Sequence, residues 1–420
     1  MSVCSGSMSS PDCAIGCAVG TAVFCPHFGI PKGKQPNSFC GGCKIQNLDY
    51  PAQLEQKKLR LEELFAPFWK NPITVRPSPQ TKFYRNKMEF SFARQVAKRN
   101  DDGSLEFETA FGLKSAGRWD RVVNLSECGI FSPRSGELIA AVRKWAHKSG
   151  EEFYDLRKRT GSLRQLLCRE GKNTGEMMFA LYCAKSLGDD RAFADTILKI
   201  YLNATVLCGI NDGLSDVAHT REFRVLSGSG VMAEKISAGD KAISVKISPR
   251  SFFQTNTNAA AMLYTLARNM AREIRPPVIY DLYGGAGLFS IACSDFAQKC
   301  VCVESVADAV SDGRANAAAN GAANVEFHTV STEEFLSSPR PELKEAFCIA
   351  DPPRSGFHPK ALAGLIENKP PRLLYISCNP ESLARDLKAL TQSYKIDFME
   401  GFDLFPHTPH VETAAALSLV

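Results

Sequence analysis

No apolar run in this 420-residue chain approaches the length needed to cross a bilayer, which argues against a membrane-spanning protein. No internal repeat is visible, which argues against a solenoid. The first two dozen residues are rich in Ser, Gly, Ala and Cys but lack the basic start and apolar centre of a signal peptide. Residues 1–24 are therefore expected to be a poorly ordered tail on a cytoplasmic protein. The 15 cysteines follow no disulfide framework. In a reducing compartment such thiols are kept for metal binding or catalysis.

Charge of one sign is scarce in one half of the chain only. Residues 1–250 hold 36 Lys+Arg against 26 Asp+Glu, a net of +10, whereas residues 251–420 hold 14 against 19, a net of −5. A basic front half suggests a polyanionic partner. Within it, residues 82–99 interleave Lys82, Arg85 and Arg94 with Phe83, Tyr84, Phe90 and Phe92, a strand region suited to contact with such a polyanion.

Periodicity divides the chain further. QLEQKKLRLEELF (53–65) spaces Leu54, Leu61 and Leu64 helically, with Lys57, Lys58 and Arg60 expected to face water. From Tyr84 the pattern alternates, with Met88, Phe90 and Phe92 on one face, and further strands are expected at 165–169, 177–183 and 242–247. After residue 250 an Ala-rich helix over 255–274 introduces strands and helices in alternation, the signature of a doubly wound parallel sheet. The fold class expected is α/β, with a Rossmann-like sheet over 251–420 preceded by a mixed, strand-rich region over 25–250.

Four motifs fall at the strand ends of that sheet. DLYGGAGLFS (281–290) follows a strand and opens a helix, so its glycines let a ligand approach a helix N-terminus. Nicotinamide cofactors use such loops, and so does S-adenosylmethionine. Glu304, ending the next strand, can hold ribose hydroxyls. ADPPRSG (350–356) carries Asp351 into a rigid two-proline turn facing the cofactor cleft. LLYISCNPESLARDL (373–387) ends a strand at Cys378 and opens a helix at Asn379 and Pro380, a position where a thiol can be activated. FPHTPHVETAAALSL places Glu412 between a polar loop and a final apolar run.

Taken in this order, DLYGGAGLFS, DPPRSG, SCNP and PHTPHVE closely resemble the RNA 5-methyluridine (uracil-C5) methyltransferase family. QTN (254–256), YRNKMEF, GSLRQLLCRE and NDGLSDVA extend the resemblance over nearly the whole chain from Cys25. It implies S-adenosylmethionine as cofactor, held by Gln254, Tyr283, Gly285, Gly287, Leu288, Glu304 and Asp351. It also assigns Cys378 as the thiolate that adds to C6 of uracil and Glu412 as the base that removes the C5 proton. Arg354 or Asp351 would contact the developing enolate or the uracil edge.

The resemblance further implies a 4Fe–4S cluster on Cys25, Cys40, Cys43 and Cys128, although four thiolates equally suit zinc. Here PKGKQPNSF (31–39) is inserted before the CxxC pair, so Cys13 or Cys17 could replace Cys25. Gly284 stands where many members carry cysteine, and Leu288 where some carry a cofactor-contacting asparagine. The N-terminal RNA-binding barrel of some members is missing, and the cysteine set is that of the ribosomal enzymes. The expected substrate is therefore a uridine of 23S ribosomal RNA, acted on by a monomer. The alternatives are a transfer RNA uridine methyltransferase and a cluster-bearing RNA-binding protein without catalysis.

Overall fold

The structure is a computed structural model that describes residues 23–30, 39–213, 218, 220 and 222–420. The expectations for the tail, for Cys13 and Cys17 and for most of the insertion at 31–39 lie outside the described residues.

The C-terminal half forms the expected sheet. Its eight strands run in the order Val75–Arg76, Tyr394–Phe402, Glu412–Leu419, Arg372–Ser377, Ala346–Ala350, Val278–Leu282, Lys299–Glu304 and Val325–Thr329. All pair in parallel except Glu412–Leu419, which is antiparallel to both neighbours. The central strands are almost wholly buried and mostly apolar, as a sheet covered on both faces requires, with Asp281 the charged exception in Val278–Leu282. Strand order reverses between Val278–Leu282 and Ala346–Ala350, and ligands of such sheets bind in the crevice at that switch point.

One edge of this sheet comes from the front half of the chain. Val75–Arg76 pairs with Gly401 and Phe402, and the helix Tyr50–Phe65 packs beside it. That helix corrects one expectation. Lys57 does not face water but is 2% exposed, with its ammonium 2.6 Å from Asp403 of the C-terminal half. The buried face is Gln53, Lys57, Leu61 and Phe65, so of the expected stripe only Leu61 is fully buried, and docking on the sheet turns a lysine inward.

The front half forms a seven-stranded mixed sheet in the order Val122–Asn124, Leu105–Lys114, Lys87–Arg99, Leu163–Glu170, Met177–Cys183, Thr205–Ile210 and Phe223–Ser227. The hairpin Met232–Ala238 with Lys241–Ile247 follows. The alternation at Met88, Phe90 and Phe92 is real, but it serves the core. These residues and Tyr84 are buried, with Phe92 stacked 4.4 Å from Phe111. They belong to the packing of the front domain, and the part of the strand region left for a polyanion is its basic residues, with Lys82 exposed.

The two halves are joined at a polar seam. Asn86 donates from Nδ2 to the Gln254 carbonyl (2.8 Å) and to Thr257 Oγ1 (2.9 Å). Asn256 caps the helix Thr257–Ile274 by accepting from the Ala259 N–H, while its Nδ2 donates to Ser78 Oγ and the Leu404 carbonyl. YRN and QTN are thus halves of one hydrogen-bonded unit. This unit fixes Gln254 at the mouth of the cleft.

Candidate active site

A cleft of about 1500 Å³ opens at the switch point and runs from the glycine loop past Cys378 to residues 41–44 and 115–117 of the front half. Tyr283, Gly285, Glu304, Asp351, Gln254, Arg354, Cys378 and Glu412 all line it. Gly287 and Leu288 do not. Gly287 adopts φ +70° as the residue before the helix Leu288–Cys293, where an added Cβ would meet the Phe327 ring at 2.7 Å. Leu288 is buried in the core, so its aliphatic side chain belongs to packing. The sequence expectation of a cofactor contact by that side chain therefore has no geometric support.

The glycine loop is built around two carboxylates. Asp281 Oδ2 accepts from the Ser290 N–H (3.0 Å) and hydroxyl (2.9 Å), pinning the helix start beneath the loop. Burial pushes the Asp281 carboxyl up to about 6. Sequence reading gave this residue no role, although an acid at the strand end just before the glycines was its signal. Glu304 accepts from the Gly285 N–H (3.1 Å) with one oxygen and from the Val306 N–H (2.7 Å) with the other. Its carboxylate is held at the cleft wall, as recognition of ribose hydroxyls requires.

Asp351 follows the strand Ala346–Ala350 and accepts from Gln254 Nε2 at 3.1 Å. Burial first, then Asp281, pushes its carboxyl up to about 7, with the Gln254 hydrogen bond opposing.

Cys378 and Glu412 are brought together by strand pairing. Ser377 lies opposite Thr413, so the antiparallel register continued by one step sets Cys378 against Glu412. The helix after Cys378 begins at Pro380 as expected, but Asn379 does not cap it with its side chain. Instead Asn379 Nδ2 donates to the Arg354 carbonyl (2.9 Å), tying the DPPRSG loop to the thiol. Burial, then Glu412, then Asp351 raise the Cys378 thiol to about 11, and the Arg354 charge opposes them. Glu412 is 1% exposed, and its Oε2 has no hydrogen-bond partner among the described residues. Burial, with Asp351 adding to it, holds its carboxyl well above the usual range.

These shifts give a pH prediction. A thiol titrating near 11 is almost wholly protonated at neutral pH, so its alkylation should accelerate about tenfold per pH unit through pH 7–9. Arg354→Gln removes the opposing positive charge and should move the profile to higher pH. Peptide-resolved mass spectrometry of iodoacetamide adducts at Cys378 measures this; an unchanged profile would remove Arg354 from that role.

The loop over 403–411 that delivers Glu412 is held on several sides. His407 has φ +67°, a left-handed conformation that a non-glycine residue keeps only when its surroundings impose it. Its carbonyl accepts from the N–H groups of Lys44 and Ile45, and its N–H donates to Gln53 Oε1. The cysteine loop and the helix Tyr50–Phe65 therefore both brace the segment carrying the carboxylate.

Cys25, Cys40, Cys43 and Cys128 converge on a small second cavity lined also by Phe24, Leu113, Leu125 and Ile130. Burial raises all four thiols, Cys40 to about 12, and each lies near enough to another for their charges to repel. Among the described residues, however, no three His, Cys, Asp or Glu side chains are arranged to hold a metal ion.

The family model described as tRNA (Uracil-5-)-methyltransferase matches residues 172–419. An RNA methyltransferase of Bacteroides thetaiotaomicron is 31% identical over 94% of this chain and 87% of its own length. The chain belongs to the RNA (uracil-5-)-methyltransferase family. It is an S-adenosylmethionine-dependent RNA uracil methyltransferase. A tRNA (uracil(54)-C(5))-methyltransferase of Pyrococcus abyssi is 30% identical, covering 90% of this chain and 84% of that protein. The crystal structure of the Pyrococcus abyssi enzyme with S-adenosyl-L-homocysteine superposes with a TM-score of 0.71 at 29% identity, covering 90% of this chain and 85% of that one. No helix among the described residues of this methyltransferase is long and apolar enough to cross a membrane.

Proposed function

We propose that this methyltransferase modifies C5 of a uridine through a covalent adduct at Cys378, with Glu412 as the base. The observation that carries the reading is the register step that sets a thiol beside a buried, partner-free carboxylate in one cleft. Bound S-adenosylmethionine supplies the methyl group. Gln254, Tyr283, Gly285, Glu304 and Asp351, which line the cleft, would hold it, and the left-handed Gly287 would shape the loop before the helix Leu288–Cys293.

The remaining steps belong to the chain. Uracil C5 is too weak a nucleophile to take the methyl group unaided. Cys378 loses its S–H proton to solvent, the thiolate sulfur bonds to C6, and the displaced C5–C6 π electrons pass toward C5 and O4. Arg354 at the cleft wall offsets the enolate charge. After methylation Glu412 accepts the C5 proton, and the electron pair released expels the Cys378 sulfur from C6. The base must leave its stack to reach a thiol recessed in the cleft.

The target uridine lies, in this reading, in 23S ribosomal RNA in the cytoplasm, as the cysteine set suggests, and the enzyme acts as a monomer. The named Pyrococcus abyssi relative favours a second reading, a transfer RNA uridine. Mass mapping of 5-methyluridine in both RNA classes from a deletion strain separates them. Loss from transfer RNA alone would overturn the ribosomal assignment.

The four front cysteines are proposed to hold a 4Fe–4S cluster. A single zinc ion draws four sulfurs to within about 4 Å of one another, given Zn–S bonds of ~2.3 Å. A cubane takes one cysteine at each of four irons and needs a wider ring. The support for a cluster is that all four thiols line one small cavity, a donor set that suits a cubane and also a single zinc ion. Anaerobically purified protein should contain iron and sulfide and lose both in Cys128→Ser. Stoichiometric zinc without iron would overturn the cluster.

A further inference from the structure

Tyr84, Phe90 and Phe92 of the basic strand region are in the core, yet a tryptophan on the same sheet is left in water. Trp119 is 68% exposed. It sits in the loop between the strands Leu105–Lys114 and Val122–Asn124, two residues beyond Gly117, which lines the catalytic cleft. Its loop is held open by ions. Asp120 accepts from Arg118 at 2.8 Å and from Arg157 at 2.5 Å, and these contacts keep its carboxyl well below the usual range. The same surface continues to Arg94, which pairs with Asp155 at 3.3 Å and lies 3.9 Å from the centre of the partly exposed Phe107 ring. Lys158 stands 5.4 Å from that ring. Arg94, Arg118, Arg157 and Lys158 here meet Asp120 and Asp155, and the neighbouring Arg121 pairs with Glu108 at 3.0 Å, so the charges named on the surface that carries Trp119 are positive in excess.

We propose that Trp119 is a stacking platform for an unpaired base of the RNA substrate outside the target nucleotide, with Arg118, Arg157 and Lys158 holding the adjoining phosphates. The inference rests on the reading that the cleft receives RNA. A duplex or loop whose flipped uridine reaches Cys378 continues past residues 115–117 onto this surface. Indole faces stack on any base, and the guanidinium groups are suited to phosphate oxygens. An interface with protein would expect a wider apolar patch, whereas here charge surrounds single aromatic rings.

The chain has three tryptophans, of which Trp145 is buried and Trp69 half-buried, so Trp119 dominates the solvent-facing emission. The full-length protein is titrated with unmodified transcripts of transfer RNA and of 23S RNA fragments. With the transcript that the wild type methylates, emission should fall on binding, and Trp119→Phe should lose most of that change while retaining affinity within about threefold. Trp119→Ala should raise the KM for RNA about fivefold to a hundredfold with kcat and cofactor affinity unchanged. A hairpin too short to reach past the cleft should be methylated equally by both. A wild-type KM in Trp119→Ala, or an undiminished emission change in Trp119→Phe, overturns the platform. Emission changes with RNA but no methylation of it would support the platform and sink the substrate reading instead. No response in emission or methylation to either transcript overturns both.

Discussion

Cys378→Ala should reduce methyl transfer to below detection and leave no covalent RNA adduct, because without the sulfur no electron density reaches C5. Glu412→Gln should behave differently. It keeps the shape of the side chain and removes only the capacity to accept a proton, so addition and methyl transfer proceed while elimination stalls. Turnover should fall by roughly 10²–10⁴. Denaturing electrophoresis with radiolabelled cofactor should show protein shifted by attached, methylated RNA. The electrostatics add an independent readout. Glu412 is among the groups that raise the Cys378 thiol. Its neutral replacement should therefore make Cys378 alkylate faster at a fixed alkaline pH. Normal turnover in Cys378→Ala would defeat the covalent mechanism. A slow Glu412→Gln enzyme without a trapped band would remove Glu412 from the role of base.

The second large effect is expected at the Lys57–Asp403 pair. Both side chains are buried, 2.6 Å apart. Asp403 also accepts from the Tyr50 hydroxyl (2.9 Å) and the Phe405 N–H (3.1 Å), while Lys57 donates to the Phe405 carbonyl (3.2 Å). Burial lowers the Lys57 ammonium pKa, with Asp403 opposing. Breaking such a pair strands one charge in a site built for two, which costs about 3–5 kcal/mol. Asp403→Ala should therefore be strongly destabilised in denaturant titration. Lys57→Met should lose stability too, and also turnover, because the pair anchors the segment that ends at Glu412. The double substitution Lys57→Met with Asp403→Leu should recover part of the loss. A change below about 1 kcal/mol in Asp403→Ala would show that water reaches the pair.

The alternating pattern of residues 88–92, the Ala-rich helix and the glycine loop were legible because each is a local choice. A period of two or of 3.6, a left-handed turn and a proline at a helix start are written in neighbouring residues. The observed strand Met177–Cys183 has the boundaries read from its apolar run. Cys378 was legible for the same reason, since a strand end and a helix start meet there within three residues. Glu412 was legible only through family resemblance; its surroundings in the sequence are those of an ordinary surface glutamate.

What failed in the sequence failed where partners are remote. Alternation at Phe90 and Phe92 fixes which residues share a face, but not what that face packs against, which is the helix Ser135–Lys148 and its neighbours. Leu288 was expected among the cofactor contacts, and burial in the core decides the role of its side chain here.

The sequence by itself determined the elements, their alternation and the chemical identity of the reactive groups, since these depend on backbone preference and functional-group type. Tertiary structure alone decided that Lys57 turns inward, that Val75–Arg76 closes an edge more than 300 residues away in the chain, and that Cys378 and Glu412 line one cleft just beyond the Ser377–Thr413 pair. Those facts depend on which distant surfaces exclude water together, and no local pattern encodes a partner it does not touch.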